Sequence, residues 1–187
     1  MPRRYSKRVM KRKSAIPPYR CIVDNLRQNS PSPIAVVTKV VRQVMRIFFS
    51  VGEPSGDLHG SNLIQELKRH DPDIECVGFG GPRMQKSGCN LLFDLTQFAV
   101  MFFVRVLLNL PKFFALAGQA AQYFKENDVD AVVLIDYPGF NWAIAKRARR
   151  HGIPVYYYGV PQLWAWAPWR IRKMRRNVNY ALCKLPF

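Results

Sequence analysis

The stretch Ile47–Gly60, "IFFSVGEPSGDLHG", decides how the rest of the chain is read. A short apolar run, Ile47–Val51, ends on Gly52-Glu53-Pro54-Ser55-Gly56-Asp57, and a helix-compatible run, "SNLIQELKRH", follows. That order is a strand, a turn and an amphipathic helix. In an α/β sheet such a turn lies at the carboxyl end of the strand, where ligands bind. Gly52 and Gly56 let the backbone approach a ligand closely, and the unpaired N–H groups of a helix start suit an anionic or hydroxyl-rich group. A plainer reading fits the same residues: Ser55 or Asp57 caps the helix and the glycines form a tight turn. The pattern is neither G-x-G-x-x-G nor a Walker loop, so neither nucleotide fingerprint applies.

Outward from this unit, short apolar runs alternate with helical patterns. Strands are expected at Ile47–Val51, Ile74–Phe79, Ala131–Ile135, Val155–Tyr158 and Tyr180–Cys183. Helices are expected at Asp57–His70, within the apolar region Val100–Phe124, at Trp142–Arg150 and around Arg170–Arg176. Near-continuous apolar strands alternating with helices argue for a parallel α/β sheet covered on both faces.

The 187 residues suit one domain, and an apolar share of 49% is enough for a sizeable core. The formal charge of +17 favours phosphate-bearing partners: nucleic acid, anionic lipid or phosphorylated substrates. Asp24 is the only acid before Met45, and no acid follows Asp136. Cys21, Cys76, Cys89 and Cys183 have neither CxxC nor metal-ligand spacing, so they read as free thiols of a reducing compartment. Residues 1–44 are basic, lack helical or strand period and lead into no apolar signal segment, so they read as a disordered leader. The leader is either a basic arm or lies upstream of a true start at Met45.

Three further motifs carry chemistry. In "LIDYPGFNW", Leu134–Trp142, Asp136 directly follows an apolar strand. A half-desolvated carboxylate at the mouth of a cleft suits a general base, and a turn or cap residue is the alternative. Pro138 should push Tyr137 to an extended conformation, Gly139 should free the turn, and Asn141 should cap the next helix. In "YYYGVPQLWAWAPWRIRKMRR", Tyr156–Arg176, aromatic residues are followed by cations. That mixture suits sugar rings, phosphates, bases or a membrane interface, and equally a packed aromatic layer with a solvated basic helix. The region Phe98–Gly118 is long enough to span a bilayer, but Arg105, Asn109, Pro111 and Lys112 in its middle argue against a span. Phe113, Phe114, Ala117, Ala121 and Phe124 mark one helical face, which either lies in a membrane surface or packs on the sheet.

Four segments, "SVGEPSGDLHGSNLIQELK", "VGFGGPRMQKSGCNLLFDLTQFAVM", "IDYPGFNW" and "VPQLWAWAPWRIRKM", stand in the order and spacing of one family. From Met45 to Phe187 the chain resembles the lipid-A-disaccharide synthases. The resemblance implies an inverting glycosyltransferase of GT-B type, in which two Rossmann-like domains face a cleft. It implies that UDP-2,3-diacylglucosamine is joined to 2,3-diacylglucosamine 1-phosphate, giving lipid A disaccharide 1-phosphate and UDP. The family acts peripherally at the cytoplasmic face of the bacterial inner membrane, generally without a metal or cofactor. By the same resemblance Asp136 is the general base, and Glu53, Ser55, Gly56, Asp57, Asn141, Pro161 and Trp164 line the substrate cleft. Val104, Leu107, Leu108, Phe113 and Phe114 fall on the membrane-docking surface, opposite an anionic bilayer.

The chain departs from the family pattern in three ways. It stops at "CKLPF", where the family continues into a donor-binding domain, so residues 45–187 are expected to be the N-terminal domain alone, with little transferase activity by themselves. Val160 stands where a serine often precedes the proline of the family's S-P-x-x-W-A-W motif. Phe102 and Arg105 replace a glycine and a glutamate. The competing class is a non-catalytic basic module holding anionic lipid or nucleic acid. That class ranks second because no RNA-binding signature is present.

Overall fold

The computed structural model describes residues 44–98, 110–160 and 170–183. In chain order the elements are β1 (Arg46–Val51), α1 (Pro54–His70), β2 (Glu75–Gly80), α2 (Pro82–Lys86) and β3 (Cys89–Asp94). A 3-10 turn (Leu95–Phe98) is followed by α3 (Leu110–Glu126), β4 (Ala131–Ile135), α4 (Pro138–Arg150), β5 (Val155–Tyr158), α5 (Arg170–Asn177) and β6 (Tyr180–Leu182). The strands form one parallel sheet in the order β3-β2-β1-β4-β5-β6. The order reverses between β1 and β4, as in a doubly wound, Rossmann-like domain.

The central strands are apolar on both sides because both sides are covered. Phe48, Val132, Leu134, Val155 and Tyr157 face α3 and α4, where Leu116, Ala117, Ala120, Phe124, Ile144, Ala145 and Ala148 meet them. Ile47, Phe49, Val51, Val133 and Ile135 face the other way, onto Leu63, Ile64 and Leu67 of α1 and Met84 of α2. Phe48 is fully buried, edge-on to Phe79 at 5.4 Å and to Phe124 at 4.9 Å. Burying one such ring is worth roughly 2–3 kcal/mol. Gly78 (φ +140°) lies beside the backbone of Phe49, and a side chain there would run into the Phe49 carbonyl. The ladder to β3 shifts register at this point, between Gly78 and Phe79.

The expected strands form within one residue of their predicted ends, and two of them coincide with prediction. The sequence reading missed β3 and α2. β3 is an edge strand, and from Leu91 to Asp94 it is evenly half-buried, so it carries neither an alternating nor a fully apolar signature. Both helices that follow a central strand start earlier than expected, at Pro54 and Pro138, because proline fits the first helical position. Tyr137 is not extended before Pro138 but left-handed, at φ 41° and ψ 59°. The turn is therefore made by Asp136 and Tyr137, and Gly139 already belongs to α4. Val104, Leu107, Leu108, Pro161, Trp164, the expected helix over 100–109 and the leader up to residue 43 lie outside the described residues. Among the described residues no helix is long and apolar enough to cross a membrane.

Cys76 and Cys89 are buried free thiols opposite one another on β2 and β3. Burial pushes Cys76 up to about 11 and Cys89 up to about 12, and burial with the Tyr180 phenol pushes Tyr156 up to about 12. The folded chain holds these protons more tightly than the unfolded chain. Their stabilising contribution is complete below the ordinary thiol value of 9.0 and is lost as pH rises toward 11 and 12. Urea titrations should show the unfolding midpoint falling above pH 9, with a shallower fall in Cys76→Ala/Cys89→Ala. A slope unchanged by that double variant would place its origin elsewhere.

Candidate active site at the sheet crossover

Val51 of β1 pairs with Ile135 of β4, and beyond that pair the two strands part into α1 and α4. A crevice at such a reversal point is where doubly wound sheets bind ligands. The fork is held by Asn141, which is fully buried on the first turn of α4. Its Oδ1 accepts from Ser50 Oγ at 2.7 Å. Its Nδ2 donates to the carbonyls of Ser50 (3.2 Å), Ile135 (3.3 Å) and Asp136 (2.7 Å). Asn141 is thus not the helix cap expected from sequence; Tyr137 occupies that position. It is a clamp between the carboxyl ends of β1 and β4.

Asp136 is the first residue past β4 and is half-buried. Its carbonyl is held twice, by Asn141 and by the Tyr157 hydroxyl at 2.6 Å. Asp136 and Tyr137 both have positive φ, 49° and 41°. Left-handed backbone at two successive non-glycine residues costs of order 1–3 kcal/mol each and persists where surrounding structure enforces it, commonly at functional sites. The strain aims the Asp136 side chain at the α1 loop: a Cβ built on Gly56 would stand 3.6 Å from Asp136 Oδ2 and 2.8 Å from Val51 Cγ1. Gly52 likewise lies under the Tyr137 ring, with a built Cβ only 2.5 Å from Cγ and Cδ1. Both glycines of the opening motif are therefore required by what packs on them.

Glu53 caps α1 through its backbone and is half-buried, while Ser55 is exposed in the first turn. Burial, and then the Glu53 carboxylate, raise the Tyr137 phenol above its ordinary value, so Tyr137 remains a hydroxyl donor at neutral pH. Asp57 does not cap α1. It is buried, and its carboxylate accepts from the backbone N–H groups of Gly81 (3.0 Å), Arg83 (3.0 Å) and Met84 (3.1 Å), capping α2 instead. Asp136, Glu53, Ser55, Gly56, Asp57 and Asn141 all gather at the fork, although Asp57 and Asn141 are occupied in holding the backbone. Sequence reading gave Ser50, Tyr137 and Tyr157 no role at the fork, although Tyr137 and Tyr157 stand in motifs it singled out. The signal for that role was position, since each lies at or next to the carboxyl end of a strand.

Next to Tyr137 an apolar groove of about 450 Å³ runs between α3 and α4, walled by Leu110, Phe113, Phe114, Ala117, Tyr137 and Phe140. Phe113 is half-buried against Phe98, Tyr137 and Phe140, at ring distances of 5.2, 6.2 and 5.7 Å. Phe114 is 69% exposed. The helical face expected from sequence is therefore divided: Ala117 and Phe124 belong to the core, and Phe114 faces outward. Among the described residues no group of three or more His, Cys, Asp or Glu is placed to hold a metal ion.

Fold and crevice together define a Rossmann-like α/β domain with a carboxylate at its switch point. Residues 47–187 match the family model described as lipid-A-disaccharide synthetase, and the chain belongs to that family. It is 41% identical over 143 residues to the lipid-A-disaccharide synthase of Photobacterium profundum, covering 76% of this chain and 38% of that protein. It is likewise 41% identical over 142 residues to the enzyme of Geobacter sulfurreducens, covering 76% of this chain and 37% of that protein. The Myxococcus xanthus enzyme is 38% identical over 142 residues, covering 76% of this chain and 37% of that protein. The chain thus spans well under half the length of the curated relatives it matches. A solved UGT transferase from Siraitia grosvenorii in complex with UDP aligns at 16% identity with a TM-score of 0.40, over 61% of this chain and 27% of that one.

Replacing Asn141 by alanine removes the partner of Ser50 Oγ and one of the two donors to the Asp136 carbonyl. Unsatisfied buried groups of this kind cost about 1–3 kcal/mol each. Asn141→Ala should lower the unfolding free energy by about 3 kcal/mol in urea titration. A loss below ~0.5 kcal/mol would mean that the fork is held by other contacts.

Proposed function

We propose that residues 45–187 form the acceptor-side, N-terminal domain of a GT-B lipid-A-disaccharide synthase, preceded by a basic leader. The proposed reaction joins UDP-2,3-diacylglucosamine to 2,3-diacylglucosamine 1-phosphate. Asp136 takes the proton from the acceptor 6-hydroxyl while that oxygen attacks the anomeric carbon. The bond from that carbon to the UDP oxygen breaks with its electron pair, releasing UDP and inverting the configuration. The observation that carries this reading is the position of Asp136: at the carboxyl end of β4, at the strand-order reversal, strained and held by its own carbonyl, facing the glycine loop of α1. A base must be held rigidly within reach of the proton it removes.

In this reading Glu53 and Ser55, at the α1 start, orient sugar hydroxyls, and Gly56 lets their loop pass close to Asp136. Asp57 and Asn141 position the two loops without touching substrate. Pro161 and Trp164 are assigned to the cleft by their family motif. In a family-length enzyme carrying this domain, Asp136→Asn should reduce turnover by about 10²–10⁴-fold, with the unfolding midpoint close to that of the parent. A near-parental rate in a radiolabel assay with both lipid substrates would make Asp136 a turn residue only.

The acyl chains of both substrates call for contact with the bilayer, and we assign it to the α3 region: Phe113, Phe114 and the preceding Val104, Leu107 and Leu108. Peripheral attachment at the cytoplasmic face of the inner membrane follows from this assignment. Phe114→Ser should weaken flotation with anionic liposomes several-fold while barely changing stability, because Phe114 is exposed. Phe113→Ser should also destabilise, because Phe113 packs on Phe140. Equal flotation of Phe114→Ser and parent would exclude this face from docking.

A further inference from the structure

Helix α4 carries different chemistry on its two flanks. Toward α3 it borders the apolar groove. Toward α5 it borders a pocket of about 530 Å³ walled by Trp142, Lys146, Arg172, Lys173, Arg176 and Asn177. Gly139 and Ala143 line both spaces, so the pocket begins within a helical turn of Asp136. The four cations on its wall take part in no ion pair among the described residues. No acid follows Asp136 in the chain. Arg172 and Arg176 are moreover four residues apart on α5, a like-charge pair that weakens a helix. All four cations are exposed side chains. The second observation is Trp142, whose indole N–H is buried and has no acceptor. Buried N–H groups almost always find one. Four unneutralised, solvent-accessible cations around one pocket are the arrangement that an anion's oxygens complete.

We propose that this pocket is the subsite for the phosphate monoester of the acceptor sugar, so that Asp136 meets a hydroxyl at one end of the ring while the phosphate is held at the other. This rests on the reading of Asp136 as the base. Arg172 and Arg176 offer planar forks to the phosphate oxygens, Lys146 and Lys173 add point charges, and the Trp142 ring forms part of the wall. The apolar groove on the opposite flank of α4 takes acyl chain, so one helix sorts the two ends of an amphiphile.

The test is a titration of the 187-residue chain, labelled with ¹⁵N-tryptophan, with glucosamine 1-phosphate. The indole N–H signals are followed, and that of Trp142 is assigned with Trp142→Phe. The expected result is a saturable shift of the Trp142 signal that glucosamine does not produce. The midpoint should weaken roughly tenfold or more in Arg172→Gln/Arg176→Gln, which removes two charge-assisted contacts. It should change less than about twofold in Arg149→Gln/Arg150→Gln, two exposed cations of α4 outside the pocket. Four results overturn the proposal: equal shifts with glucosamine, equal weakening by both variant pairs, tighter saturation by UDP than by the sugar phosphate, or a pocket-pair effect confined to binding of phosphatidylglycerol vesicles. The readout is independent of turnover. A failed titration beside a slow Asp136→Asn enzyme removes the pocket alone, and a retained titration beside a full-rate Asp136→Asn enzyme removes the general-base reading alone.

Discussion

The side chain of Asn141 is the contact on which the crossover depends. Parallel ladders satisfy their own backbone groups only while the strands run together, and β1 and β4 part after Val51 and Ile135. The carbonyls left at the fork need donors, and Asn141 is fully buried beside them. One amide serves three of them and accepts from Ser50 Oγ besides. A buried network of this kind specifies one geometry because every alternative leaves polar groups unpaired. The left-handed pair Asp136–Tyr137 is stable only inside that geometry.

From this fork the rest of the site follows by packing. Tyr137, swung round by its backbone, covers Gly52 and forms one wall of the apolar groove. Gly56 passes close to Asp136, and Asp57, one residue on, reaches across to cap α2 and fixes the loop from the other face of the sheet. Helix α4 begins at the fork and separates an apolar flank from a basic one. A substrate with acyl chains and a phosphate has that same division, which is why the proposed acceptor suits this half of a cleft.

Charge and hydrophobicity serve different ends here. The core is rich in aromatic rings, with Phe48 edge-to-face on Phe79 and on Phe124. The ion pairs Arg46–Glu75 and Arg69–Glu66 are at the surface, and exposed pairs of that kind contribute little to stability.

The amino-acid sequence by itself determined five of the six strands and the parallel, doubly covered character of the sheet, but neither β3 nor the strand order. Runs such as "IFFSV" and "AVVLI" are apolar at nearly every position, and only a strand covered on both faces can use such a run. Glycine in the Gly52–Asp57 stretch marked where β1 gives way to a helix, while the prolines that open α1 and α4 went unread as helix starts. Asp136 and the Gly52–Asp57 loop were legible because a carboxylate or glycine directly after an apolar strand has few uses. The tertiary structure alone decided what each polar residue does. Local pattern made Asn141 and Asp57 caps of their own helices, but hydrogen bonding is indifferent to sequence distance, and their partners lie across the fold. Tyr137 escaped its local preference because the clamp on the Asp136 carbonyl outweighs a backbone preference of order 1–3 kcal/mol. The face of α3 divided into core and surface for the same reason: helical periodicity names a stripe, and only the neighbour packed against it settles which residues are covered.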